Sequence, residues 1–254
     1  DGTVTGVISY GYSNFKVLVD MDSLPDLIES EKEEVTTELG KDEGKLTVAS
    51  YNIENYYEGT SQEKTNRIAQ SMVNELNSPD IIGLVEVQDD NGPTDDGITT
   101  AKASYEKLIA AIAANGGPTY DWADIAPEDK QDGGQPGGNI RVGYLYNPER
   151  VTLKEAPKGG ANDAVTYEDG QLTLNPGRID PTNEIFQDTR KSLAAQFEFN
   201  GEDVIVVANH FNSKSGDEPL FGKNQPPELV SEAQRIQLAE AVNGFVKDIE
   251  SKNP

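Results

Sequence analysis

Three residues of the sequence combine side chains that do chemistry with positions where a plain strand has no use for them. Asn52 follows the apolar-alternating run Leu46 to Ser50, Glu86 is embedded in Gly83-Leu84-Val85-Glu86-Val87-Gln88-Asp89, and His210, the single histidine in 254 residues, ends Val206-Val207-Ala208-Asn209. An amide and a carboxylate offer oxygen ligands, which suit a hard cation such as Mg²⁺, Mn²⁺ or Ca²⁺ far better than zinc. A histidine titrates near neutrality and serves as a general base or polarises a phosphate. Arg141 and Arg190 carry forked guanidinium groups that grip phosphate oxygens in pairs. Each residue also has a plain explanation. Asn is a favoured turn former, a glutamate at a strand rim stays hydrated, a lone histidine is more often structural, and surface arginines form ion pairs. A buried Glu86, by contrast, needs a cation or hydrogen-bond donors.

These positions meet only if the fold gathers strand ends on one edge. In an open α/β layer, side chains at the carboxyl ends of strands converge there, and the chain alternates accordingly. The pattern predicts a strand over Leu46–Ser50, then a helix opened by Thr60 with Glu63 as a capping box and running through Ile68, Ala69, Met72, Val73 and Leu76. Ile81–Val87 reads as a strand buried on both faces. A second amphipathic helix uses Tyr105, Leu108, Ile109 and Ile112 and stops at Gly116-Gly117. Strands follow in Tyr120–Ile125 and in Arg141–Leu153, the latter folding over an Asn147-Pro148 turn, and residues 156–189 are irregular. Asn200-Gly201 joins two strands through a type I′ turn. A last helix begins at Ser231 with Gln234 as its box partner.

Composition bounds the partners. Lys and Arg number 21 against 45 Asp and Glu, a net charge of −24, which repels polyanions and excludes lysine-driven, nonspecific nucleic-acid binding. A phosphate-ester partner then requires a local basic cluster, a bound divalent cation or a saline medium. The absence of cysteine excludes disulfides, thiolate catalysis and cysteine-based zinc sites. No stretch is apolar over the ~18 residues a membrane helix needs. Residues 1–19 read as two short strands and a turn, expected as the end of a preceding β domain, possibly OB-like. Residues 20–44 are acid-rich, with only Lys32 and Lys41 in opposition, and read as a solvated linker. The acidic loop 89–97 lacks the D-x-D-x-D-G spacing of a calcium loop and reads as solvated.

In order, "ASYNIEN", "GLVEVQD", "GGNIRVGYLYNPERV", "FQDTRKSLAAQF" and "ANHFNSK" resemble the endonuclease/exonuclease/phosphatase superfamily, specifically bacterial secreted nucleases similar to pancreatic deoxyribonuclease, over residues 45–254. The resemblance implies a four-layer α/β/β/α sandwich and divalent-metal-dependent hydrolysis of phosphodiesters, DNA foremost and RNA possible. It implies metal binding by Glu86 and Asn52, a catalytic His210, and phosphate or substrate contacts at Arg141, Arg190 and Asn212. Secretion, with the signal peptide outside this chain, and a monomeric whole protein belong to the same expectation. The family's Gly-Asp-x-Asn and Ser/Thr-Asp-His motifs do not occur in the chain. Residues 45–254 are therefore expected to be the N-terminal part of the domain, incomplete at the C-terminus and inactive alone. A phosphatase or phospholipase of the same superfamily is the near alternative. A non-catalytic calcium- or surface-binding module is the distant one.

Overall fold

A computed structural model describes residues 3–25 and 35–253. Part of the expected linker, residues 26–34, lies outside the described residues. The chain divides into two compact units, one of Asp1–Glu34 with Asn212–Ile236 and one of Val35–Phe211 with Gln237–Pro254.

In the first unit, β1 (Gly6–Gly11) and β2 (Asn14–Val19) pair antiparallel. Tyr12 and Ser13 make the two-residue turn with φ of 53° and 59°, the left-handed geometry that matches strand twist. Segment 212–236 contributes to this unit through the Phe15 amide, which donates to the Phe221 carbonyl at 2.7 Å.

The second unit is an α/β fold of mixed and antiparallel sheets with helices. Its strands are β3 (Val48–Tyr56), β4 (Ile81–Val87), β5 (Asp121–Asp124), β6 (Arg141–Tyr146), β7 (Thr152–Leu153), the small hairpin β8 (Tyr167–Glu168) and β9 (Gln171–Leu172), β10 (Gly177–Arg178), β11 (Leu193–Phe199) and β12 (Glu202–Ala208). One sheet has the order β3-β4-β6-β5, with β3 parallel to β4 and the other pairs antiparallel. The other has the order β10-β11-β12, with β7 also on β11, all antiparallel. The helices are α1 (Gln62–Gln70), continued by a wider turn over Ser71–Glu75, α2 (Lys102–Ala114) and α3 (Val230–Lys252).

Apolar side chains sort into three clusters. Ile68, Met72, Leu108 and Ile112 of the α1 and α2 regions pack on Ile82, Leu84 and Leu145. Val85, Val142 and Tyr144 of one sheet meet Leu193, Phe197 and Ala208 of the other. Val242, Phe245 and Ile249 of α3 cover Ile205, Val207 and Ala194. At the amino ends of β3 and β4, the buried Asp80 carboxylate accepts from the Thr47 amide at 2.8 Å, the Thr47 hydroxyl at 2.9 Å and Arg150 Nε at 2.9 Å. One acid therefore registers the two parallel strands at the end away from the chemistry.

The elements differ from the sequence expectation in three places. The Asn147-Pro148 turn forms, with the Arg150 amide donating to the Asn147 carbonyl at 2.9 Å. Yet β6 and β7 do not pair, because that turn carries the chain from one sheet into the other. Ser61, not Thr60, caps α1, accepting from the Lys64 amide at 3.2 Å, while the Thr60 hydroxyl accepts from the Tyr57 amide. The amide and hydroxyl of Ser231 both donate to Asp217, so an upstream carboxylate does the work expected of a box at α3. Asn200 and Gly201 have φ of 51° and 83°, as a type I′ turn requires.

Candidate active site

Both central strands are interrupted where they carry polar side chains. β3 pairs with β4 in regular register from Val48↔Ile81 to Asn52↔Val85, then resumes at Tyr56↔Val87, and the β4–β6 register shifts between Leu84 and Val87. Glu54, Asn55 and Glu86 have φ of 52°, 54° and 66°. A left-handed conformation costs an L residue about 1–2 kcal/mol. Three together are held by their surroundings, as bulges beside functional sites commonly are.

The bulge has a definite effect on the carboxylate. Glu86 Oε1 accepts from Asn52 Nδ2 at 2.9 Å and Oε2 accepts from the Asn55 backbone amide at 3.1 Å. Asn52 Oδ1 accepts from the Glu54 amide at 2.7 Å, and Asn55 Oδ1 from Gln88 Nε2 at 3.2 Å. Lys64 of α1 ties the bulge down, donating to the Glu54 carbonyl at 2.6 Å.

Two residues past β12, His210 places Nε2 3.6 Å from Glu86 Oε1, with both side chains about one-fifth exposed. That separation is too long for a hydrogen bond but close enough for charge to be felt. His210 Nδ1 is buried with no hydrogen-bond partner. Burial pushes the imidazole pKa below its ordinary 6.5, the Arg190 charge pushes the same way, and Glu86 opposes both. The imidazole is therefore neutral at pH 7. Arg190 is 7% exposed and donates through Nη2 to the Phe211 carbonyl at 2.7 Å, while its Nε is buried and unpaired. Burial lowers the guanidinium pKa from its ordinary value, and the charges of Glu86 and Asp132 offset part of that.

The entry to β11 concentrates positive charge. Thr189, Arg190, Lys191 and Ser192 are all buried. Asp132, 2% exposed at its side chain, lies between Arg178 Nη2 at 2.7 Å and Lys191 Nζ at 3.0 Å. One carboxylate thus serves two buried cations beside Arg190.

Asn52, Glu86, His210 and Arg190 come together, whereas Arg141 is engaged elsewhere. Arg141 is 1% exposed, with Nη1 on Asp124 at 3.2 Å, Nε and Nη2 on the Asn139 carbonyl at 3.3 and 3.1 Å, and Nη2 also on the Thr99 carbonyl. Arg141, expected to grip phosphate, thus directs all three guanidinium nitrogens at protein oxygens. Asn212 belongs to the other compact unit, where its Nδ2 donates to the Ser231 carbonyl at 3.4 Å. Asn55 and Gln88 escape the sequence reading. Their only signal is the tolerance of Asn for left-handed backbone at the second Asn of Tyr51-Asn52-Ile53-Glu54-Asn55.

Because His210 is the only histidine, one imidazole NMR signal reports the cluster. In EDTA its titration midpoint is expected below 6.5, the ordinary value. Arg190→Gln should raise the midpoint and Glu86→Gln should lower it further. The unfolded chain takes up the proton first, so this group's contribution to stability is present above about pH 6.5 and falls as the pH drops through that value toward the folded midpoint. A midpoint above 6.5 contradicts the burial of the ring.

No protein-family model matches the chain, and no curated protein matches it. Solved structures are similar to it in part. D. rerio TDP2 complexed with single strand DNA product is 18% identical with a TM-score of 0.41, over 80% of this chain and 55% of that one. SmcL is 13% identical with a TM-score of 0.45, over 84% and 60%. An endonuclease/exonuclease/phosphatase family protein from Leptotrichia buccalis is 13% identical with a TM-score of 0.41, over 76% and 62%. The chain spans less than two thirds of each of these structures.

Proposed function

We propose that the chain carries the metal- and histidine-bearing part of a secreted phosphodiesterase that hydrolyses DNA, built as a four-layer α/β/β/α sandwich. The observation that carries this reading is the Glu86 carboxylate held by two amides, with a neutral imidazole and a buried arginine within electrostatic reach. Among the described residues no group of three or more His, Cys, Asp or Glu side chains is arranged to hold a metal. The donors are nonetheless hard oxygens, and the Glu86 carboxylate accepts from two neutral amides, with His210 Nε2 3.6 Å away. They fit Mg²⁺, which takes one or two carboxylate ligands and fills the remainder with water and phosphate oxygens. Glu86 and Asn52 would hold the ion, which when bound supplies Lewis-acid polarisation of a phosphoryl oxygen.

The chain's own groups then divide the remaining work. Neutral His210 accepts or returns a proton at a ring nitrogen, and its depressed pKa keeps it ready as a base at pH 7. The Arg190 charge favours negative charge gathering on a phosphate brought beside Glu86. A cavity of about 290 Å³ lined by Tyr51, Asn52, Glu54, Lys64 and Arg67 adjoins Asn52; Lys64 is paired there with Glu54 at 3.1 Å, which leaves Arg67 as the cation offered to a sugar-phosphate chain. Local positive charge of this kind answers the repulsion expected from a net charge of −24.

The test is nicking of supercoiled plasmid by the whole protein with Mg²⁺, Mn²⁺ or Ca²⁺ and with EDTA. Glu86→Gln keeps the shape of the side chain and removes its charge, so it is expected to abolish most metal-dependent cleavage. Retained activity at ordinary metal concentrations would make Glu86 structural. Cleavage of inositol phosphates or sphingomyelin in place of plasmid would move the substrate to another phosphoester class.

A further inference from the structure

Beyond β4 the chain buries polar oxygens that are short of donors: burial raises the Asp89 pKa although Asn139 and the Asn91 and Gly92 amides lie against its carboxyl group. Gln88 is 2% and Asp89 0% exposed, and Gln88 Oε1, Asp89 Oδ1 and Asn91 Oδ1 are all buried without a hydrogen-bond partner. Buried polar atoms nearly always find partners. All three are acceptors, so what they lack is a donor or a cation.

A second observation points to the same place. The side chain of Asn139, 4% exposed, presents Nδ2 to four oxygens: the Ile98 carbonyl at 2.7 Å, Asp89 Oδ2 at 3.0 Å, Asp129 Oδ1 at 3.3 Å and the Gly137 carbonyl at 3.5 Å. An amide has two hydrogens to give, so Asn139 cannot serve all four oxygens. Turning the amide over does not help, because Asn139 Oδ1 accepts from the Lys130 amide at 2.8 Å. The nearby cations are spent elsewhere. Lys130 Nζ pairs with Asp95 at 2.5 Å and reaches the other oxygen of Asp129 at 3.5 Å, and Arg141 is bonded to Asp124, Thr99 and Asn139.

We propose that this focus is a calcium site, separate from the Glu86 cluster, in which the ion takes the place that the Asn139 amide nitrogen holds and Asn139 turns aside. Asp89, Asp129 and the carbonyls of Ile98 and Gly137 supply the first ligands, and Asp89 Oδ1 makes a second oxygen available from the same carboxylate. The set is all oxygen, mixes carboxylates with carbonyls and comes from two loops. Calcium accepts six to eight such ligands in loose geometry, whereas magnesium demands a small regular octahedron and zinc prefers nitrogen and sulfur. The loops already meet at this point, since the Asp89 amide donates to the Gly138 carbonyl at 3.0 Å. The site communicates with the first cluster through Gln88, which donates to Asn55, whose amide donates to Glu86. An ion here stiffens the segment on which Glu86 stands.

The experiment is calorimetric titration of the EDTA-treated and desalted chain with calcium chloride in 0.15 M KCl, with thermal unfolding alongside. The wild-type chain is expected to show one saturable event and a higher unfolding midpoint with calcium. Asp129→Asn, at a side chain only about two-thirds buried and therefore tolerant of the change, should weaken binding by roughly tenfold or more, because ligand charge sets calcium affinity. It should also erase the thermal shift, whereas Glu86→Gln should leave both intact. Absence of saturable binding by the wild type overturns the proposal, as does binding that Asp129→Asn leaves unchanged. Loss of binding in Glu86→Gln with retention in Asp129→Asn places the ion at Glu86 and overturns it too.

Discussion

His210→Ala in the whole protein is expected to lower the turnover rate by roughly 10²- to 10⁴-fold, the usual contribution of a positioned acid/base group, with little change in KM for the phosphodiester. The ring is neutral at pH 7 because burial and Arg190 outweigh the pull of Glu86, so its loss removes a base in its working form. The side chain is 23% exposed and truncation opens no sealed cavity, so the variant should keep the circular-dichroism spectrum of its parent. Initial rates of plasmid nicking over a range of DNA concentrations measure the effect. An unchanged rate reduces His210 to a packing residue and removes the base from the proposed reaction.

The largest effect on stability is expected from Asp132→Ala. Its carboxylate is the counter-charge shared by Arg178 and Lys191, and all three side chains are at most 7% exposed. Arg178 also donates to the carbonyls of Ile125 and Ala161, and Lys191 to those of Gln131 and Thr189. Those neutral acceptors remain after the change, but two buried cations lose the one carboxylate bonded to both, and Glu128 and Glu184 only line the same cavity. Removing one partner of a buried ion pair typically costs about 3–5 kcal/mol. For a chain of this size that lowers the thermal midpoint by about 6–20 °C, at about 2–4 °C per kcal/mol. Scanning calorimetry of wild type and variant decides it, and a shift below about 2 °C would show that water reaches the pair.

Much of the site was legible because Asn52, Glu86 and His210 each break an apolar strand pattern at its carboxyl end, and alternating strands and helices gather such ends on one edge. The support around them was not. Asn55 reaches Glu86, and Gln88 reaches Asn55, only because Ile53–Asn55 bulge opposite a single residue of β4, and a local departure to left-handed backbone leaves no mark on a two-residue period. Arg141 shows the limit for charge. Guanidinium chemistry names what the group grips, but the choice between a phosphate and Asp124 depends on burial that its strand shares on both faces. The turn at Asn147 is visible in the residues, while its destination is set by which sheet has room for β7. Thr60 and Ser61 are adjacent hydroxyls, and Glu63 completes the box pattern for Thr60 alone, so the pattern points one residue away from the cap that forms. The acidic loop after β4 reads as solvated because charge predicts exposure, yet Asp89 is fully buried.

Among the described residues β12 pairs on one side only, with β11. Past Asp203 the strand reads Val204-Ile205-Val206-Val207-Ala208, an uncharged, largely β-branched run of the kind that stacks into cross-β ribbons where such an edge is left uncovered and copies meet. The excess of acid then acts as a colloidal barrier, since copies that each carry −24 repel one another before their edges can align. That barrier reaches only about 8 Å at physiological salt and about 3 Å at 1 M. The brine that would relieve repulsion from a polyanionic substrate is therefore the same condition that strips the edge of its electrostatic guard.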